Sequence, residues 1–451
     1  MDKRIKISFL VLLILGFGVV STLVILQAQG YDFDWKKNEV LKTGGIYVKT
    51  AQSGADVFID DKYINKTDGF SREILAQKML PGSHTVKVQK EGYFTWEKTL
   101  PVEEQMVAKA QNIILFPTNI SFTSKIADIS SIYNITNQSF LVFKTNGDLY
   151  AVNSNTKEEQ SVLAASKLKD IGKIKSISFS SDQKKALIIN QNNVYFLLEI
   201  AGAKSKLTNL KDYLDKTVSN IVWNGDNTLE YIYKNKLYSL NVSTYKKESI
   251  KEENVTAFAR HSDGLYTMED GILIRTNTFT KGVEILTKDA FSFKKNSSYQ
   301  LKIIEGRIFL AEDNKTYYYY EGKAKLFIKA LDSSSEINYK ILSDKVIFTT
   351  DYGIWLMLLK DYESPFFMKT ESFILLSKFS QKISDIVWVA DDYFAAIVNG
   401  KIRINEIDNR DKINSFELTG ENYSKIWFNY NSKTLLAFKD NQLLESTRLI
   451  P

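Results

Sequence analysis

The run Arg260-His261-Ser262-Asp263-Gly264 is where this sequence comes nearest to catalytic machinery, because it contains the three residue types of a Ser/His/Asp triad. In such a triad serine is the nucleophile, histidine the base and aspartate the group that orients the histidine. A triad is assembled from distant segments, however, since adjacent side chains in a strand or turn point apart. Ser-Asp-Gly is also ordinary turn chemistry, and the chain has no Gly-x-Ser-x-Gly elbow. We therefore interpret the run as a turn.

The composition removes most other catalytic and metal-binding chemistry. The chain has no cysteine and two histidines, His84 and His261, which excludes thiol nucleophiles, cysteine-ligated zinc and a multi-histidine metal site within one chain. None of its acidic turns has the carboxylate spacing of a dedicated calcium loop. These turns lie around Asp182, Asp226, Asp391-Asp392 and Asn429 to Asn431. We predict no catalytic, cofactor-binding or metal-binding residue and no cofactor.

Several aromatic residues and His84 have a structural interpretation. On a strand, the run Tyr317-Tyr318-Tyr319-Tyr320 places two rings on each face, which suits burial between sheets better than a platform for sugars or peptides. Trp223, Trp388 and Trp427 recur at one position of a repeat and are expected to be repeat architecture. His84 lies in the middle of a predicted strand and is expected to be structural or solvent-facing.

The elements that must position these residues form a repeat from residue 129 to the end. Each unit has a strand with an apolar or aromatic end, an Asn/Asp/Ser/Gly turn, a very apolar strand and two further strands. The spacing is about 40–45 residues, which is typical of four-stranded propeller blades. The clearest copies cover residues 174–189, 218–233, 383–398 and 423–438, and fainter copies begin near Ile129, Val255, Tyr299 and Ile337.

In its turns the repeat is similar to Tol-type and WD-repeat propellers, in which an aromatic-Ser-x-Asp turn follows the inner strand. Phe179-Ser180-Ser181-Asp182 fits best, and residues 223–226 are a looser copy. The resemblance implies architecture and no particular function. Eight starts predict eight blades, with seven as the alternative. The last unit has room for three strands, so residues 119–125 are predicted to supply the fourth and close the ring, which removes open edges.

Between the N-terminus and the repeat, short alternating strands are separated by turn residues. The strings SGADVFID (residues 53–60), LPGSHTVKV (80–88) and KEGY (90–93) resemble the PEGA domain family. The resemblance covers roughly residues 44–116 and departs from the family where Gln52 and Ser53 replace proline and glutamate. It implies a small β-sandwich, common in exported and surface proteins, that acts as a binding or spacer module rather than an enzyme.

The first thirty residues predict where the protein resides. Residues 7–26 are apolar, which is about the length needed to cross a bilayer as a helix. Lys3, Arg4 and Lys6 precede the run, so the positive-inside tendency keeps the N-terminus cytoplasmic and places the rest outside. A signal peptide cleaved after Ala28 is the alternative, which the length of the run disfavours. The alternating Tyr31, Phe33 and Trp35 predict either an interfacial aromatic belt or one face of a first strand.

The net charge of +6 over 451 residues is too small and too dispersed for a nucleic-acid partner. We predict an all-β protein apart from one N-terminal transmembrane helix, organised as an anchor (1–28), a PEGA-like sandwich (29–117) and a β-propeller (118–451). The predicted function is a non-catalytic cell-envelope protein, single-pass in the cell membrane, that binds or scaffolds an envelope protein or polysaccharide. The alternatives are a carbohydrate-active enzyme with paired carboxylates in the central channel and a purely structural spacer.

Overall fold

The computed structural model describes residues 3–34, 39–136, 139–156, 158–252, 254–363, 365–370, 373–418 and 420–451. Helix α1 (Lys3–Ala28) contains an apolar stretch, Ile7–Ala28, that is long enough to cross a membrane, and none of its residues is buried in the protein. Its hydroxyl groups bond back within the helix, since Ser21 and Thr22 both donate to the carbonyl of Gly18. Gly30 follows with φ +86°, the left-handed conformation that ends many helices.

A two-stranded hairpin joins the helix to the rest of the chain. Strands β1 (Tyr31–Asp34) and β2 (Glu39–Lys42) pair antiparallel. Of the two interpretations of the aromatic residues, Tyr31 and Phe33 therefore fit the one that places them on a first strand. Trp35 lies outside the described residues.

The predicted sandwich consists of two sheets that pack face to face. Its strands are β3 (Gly44–Thr50), β4 (Asp56–Ile59), β5 (Lys62–Lys66), β6 (Glu73–Met79), β7 (Gly82–Gln89), β8 (Trp96–Val102) and β9 (Val107–Ile113). One sheet has the order β6-β3-β9, with β3 and β9 parallel, and the other has the order β5-β4-β7-β8. Alternate residues of the strands fill the core, as in Ile46 and Val48, Val57 and Ile59, and Val86 and Val88.

The remainder of the described chain forms eight four-stranded antiparallel sheets, here sheets I to VIII. Sheet I comprises β11 (Ile129–Thr136), β12 (Ser139–Lys144), β13 (Leu149–Asn153) and β14 (Glu159–Leu163); sheet II β15 (Ile174–Phe179), β16 (Lys185–Asn190), β17 (Tyr195–Glu199) and β18 (Lys206–Asn209); sheet III β19 (Ser219–Asn224), β20 (Thr228–Tyr233), β21 (Lys236–Asn241) and β22 (Lys247–Lys251); and sheet IV β23 (Val255–His261), β24 (Gly264–Glu269), β25 (Ile272–Asn277) and β26 (Val283–Ile285). Helix α2 (Ala165–Leu168) and a 3-10 helix (Lys169–Ile171) connect sheets I and II.

The last four sheets follow the same pattern. Sheet V comprises β27 (Tyr299–Ile304), β28 (Arg307–Glu312), β29 (Thr316–Glu321) and β30 (Leu326–Asp332); sheet VI β31 (Asn338–Leu342), β32 (Lys345–Thr349), β33 (Gly353–Leu358) and β34 (Phe373–Lys378); sheet VII β35 (Ile383–Ala390), β36 (Tyr393–Val398), β37 (Lys401–Glu406) and β38 (Ser415–Glu417); and sheet VIII β39 (Lys425–Asn429), β40 (Thr434–Lys439) and β41 (Gln442–Ser446) with β10 (Phe122–Ile126).

The sheets form a ring because each shares an apolar cluster with the next. Leu141 of sheet I packs with Ala186 of sheet II, and Leu187 of sheet II with Leu229 of sheet III. The same pattern continues through sheets IV to VIII. The last cluster joins Leu436 of sheet VIII to Phe140 of sheet I and closes the ring. The fold is a β-propeller, as predicted.

The ring is closed by β10, which precedes sheet I in the chain and pairs with β41 near the C-terminus. The register places Phe122 opposite Ser446 and Ser124 opposite Leu444. The prediction that residues just before the first unit complete the last sheet is confirmed.

Candidate functional site

The Ser/His/Asp run forms a turn and not a catalytic triad. His261 ends β23, and its Nδ1 lies 2.6 Å from Asp263 Oδ1. Ser262 Oγ also faces Nδ1, at 3.5 Å. A triad needs aspartate on one ring nitrogen and serine on the other, so a proton relay cannot form here. Asp263 is instead held by Tyr266 and Arg275. Burial raises the pKa of Asp263, but these partners and His261 outweigh it and bring the pKa to about 2.

His84 has protein acceptors on both ring nitrogens. Nδ1 lies 2.6 Å from Asp60 Oδ2, and Nε2 lies 2.8 Å from the carbonyl of Leu80. Both partners are acceptors, so the doubly protonated ring suits the site. Burial lowers the pKa of His84, but the bonds to Asp60 and Leu80 outweigh it and raise the pKa above its ordinary value. The residue ties two turns of the sandwich together.

We expect the contribution of His84 to stability to depend on pH. Because its pKa is raised in the folded protein, this contribution is complete below the ordinary histidine pKa of about 6.5 and is lost as the pH rises through the folded value. The difference in unfolding free energy between the native protein and His84→Asn should therefore shrink between about pH 5.5 and pH 9. Denaturant unfolding at several pH values measures it. A difference that stays constant over this range would contradict the assignment.

The aromatic runs pack between sheets, as predicted. Tyr317 and Tyr319 point into the cluster with sheet VI, and Tyr318 and Tyr320 into the cluster with sheet IV. Tyr318 donates to Glu312 and Tyr320 to the carbonyl of Leu286. All four rings thus serve packing rather than ligand stacking.

The inner-strand tryptophans likewise link neighbouring sheets. Trp223 Nε1 donates to the carbonyl of Ser178 in sheet II, and Trp388 Nε1 to that of Lys340 in sheet VI, each over 3.1 Å. Trp427 packs edge-on against Phe140 of sheet I. These contacts agree with their interpretation as repeat architecture.

The acidic turns bind backbone groups. Asp226 accepts from the backbone N–H of Asp182, which joins the first turns of sheets II and III. Asp182 itself accepts from Ser180, and Asn429 from the N–H of Asn431. Among the described residues no three His, Asp or Glu side chains cluster as metal ligands would.

A buried polar junction joins the sandwich to sheet VII, and sequence reasoning missed it. Strand β8 is an edge strand of the sandwich, and its free backbone groups are bonded by side chains from the connection between β37 and β38. Asn414 Nδ2 donates to the carbonyl of Glu97, and Asp411 Oδ2 accepts from the N–H of Thr99 over 2.9 Å. These side chains bond backbone groups on the edge of β8 that a neighbouring strand would otherwise bond, and so help to cover that edge.

A buried ion pair lies at the centre of the junction. Lys98 is fully buried, and its Nζ lies 2.6 Å from Glu406 Oε1 and donates to the carbonyl of Asp408. Trp96 Nε1 donates to the other oxygen of Glu406 over 2.8 Å. Burial raises the pKa of Glu406, while Lys98 opposes the shift. Phe94 stacks on Phe416 beside these groups, so the contact combines charge, hydrogen bonds and apolar packing.

A cleft of about 390 Å³ opens beside this junction. Asp392, from the first connection of sheet VII, accepts from Asn112 of the sandwich over 2.6 Å and from Tyr362 of sheet VI over 2.8 Å. Its other oxygen, Oδ1, has no hydrogen-bond donor among the described residues and lies 3.7 Å from Lys345 Nζ. Lys49 of the sandwich also lines the cleft. Burial raises the pKa of Asp392.

The acids with raised pKa do not form a glycosidase pair. In the described chain they are Asp385, Asp392 and Glu406, and burial is the main cause in each. Asp385 accepts from the backbone N–H of Ile386 on its own strand and from that of Ile426 on the inner strand of sheet VIII. Asp392 and Glu406 line a common cavity of about 10 Å³, which has room for about one water molecule. A sugar ring cannot enter between them.

The sandwich contacts one face of the ring, at sheet VII. In a four-stranded antiparallel sheet the first and third connections lie at one end, and the second connection and the link to the next sheet lie at the other. The contacts of the sandwich come from the first connection of sheet VII (Asp392) and its third connection (Asp408, Asp411, Asn414). We call this the sandwich face and the other end the opposite face.

The residues predicted to set the topology lie at the start of α1. The backbone of Lys3, Arg4 and Lys6 is helical, whereas the placement of their side chains lies outside what the structure describes.

Residues 43–113 match the PEGA domain family, which coincides with the sandwich. No curated protein matches the chain. Among solved structures, BamB from Moraxella catarrhalis is 11% identical with a TM-score of 0.43, covering 73% of this chain and 99% of that chain. The C-terminal WD40 domain of Sif2 is 10% identical with a TM-score of 0.43, covering 73% and 98%. The Myceliophteria thermophila Cps50 (Swd1) β-propeller domain is 13% identical with a TM-score of 0.38, covering 73% and 99%.

Sequence identities of 10–13% and TM-scores of 0.38–0.43 say nothing about the function of this chain. The family match and the fold agree with each other: behind an N-terminal apolar helix, this chain joins a PEGA domain to a β-propeller.

Proposed function

We propose that this protein is a non-catalytic binding or scaffold protein of the cell envelope. Helix α1 anchors it in the cell membrane with the N-terminus in the cytoplasm, and the propeller presents a partner-binding face outside. The partner is an envelope protein or a polysaccharide.

The observation that carries this proposal is the continuity from the helix to the ring. The apolar helix is exposed all round, as a helix surrounded by lipid would be. The carbonyl of Gly30, just after the helix, accepts from the N–H of Thr43 at the start of the sandwich. The sandwich is in turn fixed to sheet VII through Lys98 and Glu406. These contacts support a bracket that holds the ring in one orientation, rather than a flexible stalk.

The opposite face is the surface we assign to the partner, because the sandwich occupies part of the sandwich face. Loops from several sheets converge there on a rigid scaffold, an arrangement that proteins often use for binding. The buried acids of the junction are engaged with protein groups, which supports a role without catalysis.

A membrane-impermeant photo-crosslinker tests both the side of the membrane and the binding face. The chain has no cysteine, so Tyr352→Cys and Tyr430→Cys each create one attachment site. Tyr352 is 47% exposed on the second connection of sheet VI, at the opposite face, and Tyr430 is 43% exposed on the first connection of sheet VIII, at the sandwich face.

In intact cells we expect the reagent to attach to both variants, and illumination to give a discrete heavier adduct with Tyr352→Cys but not with Tyr430→Cys. Attachment to neither variant, although both react after lysis, would place the propeller inside the cell. Attachment without an adduct in either variant would favour the structural spacer over a binding protein.

A further inference from the structure

The outer face of the sheet β6-β3-β9 carries an apolar patch that the described residues leave uncovered. Leu75, Met106 and Val107 are 48–59% exposed. Leu75 on β6 and Val107 on β9 meet above Gly45 of the central strand. A Cβ added to Gly45 would lie 3.6 Å from Val107 Cγ2 and 3.8 Å from Leu75 Cδ1. The three side chains therefore form one patch across the sheet.

The rest of this face is polar. Tyr47 and Lys109 are opposite each other in the middle of the face, and Lys49 and Glu73 are opposite each other at its far end, where Lys49 Nζ lies 3.5 Å from Glu73 Oε2. Strand β3 begins beside the patch at Gly44 and ends beside the charges at Thr50. The apolar character is therefore confined to one end of the sheet.

That end is the one next to the apolar helix. Val24 and Gln27 of α1 line the same cleft, of about 400 Å³, as Leu75, Met106 and Val107. The patch thus continues the apolar surface of the helix onto the sandwich.

Direct bonds fix this arrangement. Gln105 Nε2 donates to the carbonyl of Gln29 over 2.8 Å, and the N–H of Thr43 donates to the carbonyl of Gly30 over 2.6 Å. Lys78 Nζ lies 3.2 Å from Asp32 of the hairpin. The patch cannot turn away from the helix without breaking these contacts.

The length of the helix gives the depth of the patch. With Ile7–Ala28 as the membrane span, Val24 lies four residues, or about 6 Å, below its outer end. The span is about 33 Å long, so in a bilayer whose hydrocarbon is about 30 Å thick Val24 lies about 4–5 Å inside the outer edge of the hydrocarbon. The patch lines the same cleft as Val24 and is thereby held near this edge.

We propose that Leu75, Met106 and Val107 dock the sandwich onto the outer surface of the lipid bilayer. Apolar side chains of this kind bind the boundary of acyl chains and headgroups by burying area there. The inference rests on the proposed membrane anchorage. Its consequence is that the helix and the patch are two contacts with one membrane, and together they set the tilt of the propeller.

Spin labels at single cysteines test the docking in the full chain, reconstituted in phosphatidylcholine–phosphatidylglycerol vesicles. Leu15→Cys reports the middle of the helix, and Met106→Cys and Val107→Cys report the patch. Val283→Cys is the matched control, since Val283 is 66% exposed on the outer strand β26 of sheet IV. The readout is the accessibility of each label to oxygen, which partitions into lipid, and to a water-soluble nickel chelate.

We expect oxygen accessibility to exceed nickel accessibility for the helix label, the reverse for the control label, and intermediate values for the two patch labels. Patch labels that behave like the control label while the helix label lies in lipid would overturn the docking and leave the anchor intact. A helix label exposed to nickel would overturn the anchor itself. Spin–spin broadening in the Met106→Cys variant without lipid contact would show that a second copy covers the patch, and it would also overturn the proposal.

Discussion

Replacement of Lys98 by methionine should lower the free energy of unfolding by about 3–5 kcal/mol. Lys98 and Glu406 are almost completely inaccessible to water, with exposed fractions of 0% and 3%. Removing the lysine leaves the Glu406 carboxylate buried without its counter-charge, and desolvation of a lone charge is what makes such changes severe. Denaturant unfolding of the full chain in detergent, followed by circular dichroism, measures the loss.

The same junction provides a matched control. Lys412 Nζ lies 2.8 Å from Glu97 Oε1, but the lysine is 57% exposed. Pairs of this kind contribute about 0–1 kcal/mol, so Lys412→Met should change stability little. The double variant Lys98→Met/Glu406→Leu should recover part of the loss, because the buried Glu406 carboxylate is removed together with its partner and Asp408 keeps its pair with Arg410. Equal effects of Lys98→Met and Lys412→Met would contradict the assignment of Lys98 as the centre of the junction.

The loss should also depend on pH in the Lys98→Met variant. Burial raises the pKa of Glu406 and Lys98 opposes the shift, so the Lys98→Met variant lacks that opposing charge. An acid whose folded pKa is raised binds more protons in the folded state, so stability falls as the pH rises from its ordinary pKa of about 4.5. We therefore expect the deficit to be smallest in acid and to grow toward neutral pH. A deficit independent of pH would assign the effect to lost packing of the lysine stem.

Local patterns were sufficient to predict the strands, the sandwich and the ring. Each depends on alternation or on a repeat within one segment, as in Val86 and Val88, or on the recurrence of Trp223 and Trp388. The closing strand was predictable by counting. The last unit had room for only three strands, and a fourth strand from elsewhere in the chain avoids an open edge in the ring. The interpretation of His261 also followed from local geometry, because adjacent residues cannot assemble a relay.

The docking of the sandwich onto sheet VII was not predictable in the same way. It joins residues more than 300 positions apart, such as Trp96 and Glu406, and no periodicity connects them. One signal was present: Lys98 lies on the face of β8 that also carries Trp96 and Leu100, where an alternating strand places buried side chains. A lysine at such a position indicates a buried anion, but the sequence does not say which one. The family resemblance implied a binding or spacer module but not the contacts that join this module to sheet VII.

Deletion of residues 118–125 should cause the second large loss, on the order of 5 kcal/mol, because it opens the propeller ring. The segment contributes Ile120, which is buried, and Phe122, whose ring centroid lies 5.3 Å from that of Tyr423. Truncation of a buried apolar side chain costs about 2–5 kcal/mol. The deletion also removes Lys125, which pairs with Glu445, and leaves β41 as an unpaired edge that promotes association between molecules. Thermal unfolding and size-exclusion chromatography measure the two effects.

Point variants separate ring closure from ordinary loss of an outer strand. Ile120→Ala/Phe122→Ala should account for much of the loss, because these side chains pack this segment into the apolar cluster between sheets VII and VIII. Val283→Ala/Ile285→Ala is the matched control on the outer strand of sheet IV, where both side chains are more than half exposed, and it should cost less than about 1 kcal/mol. The two strands occupy equivalent outer positions, but β10 alone joins the two ends of the ring among the described strands. An unchanged melting temperature after the deletion would mean that β10 does not stabilise the ring. The apolar cluster between sheets VIII and I would then close the ring without it. If the deletion lowers the free energy of unfolding far more than Val283→Ala/Ile285→Ala does, the closure of the ring is assigned to β10.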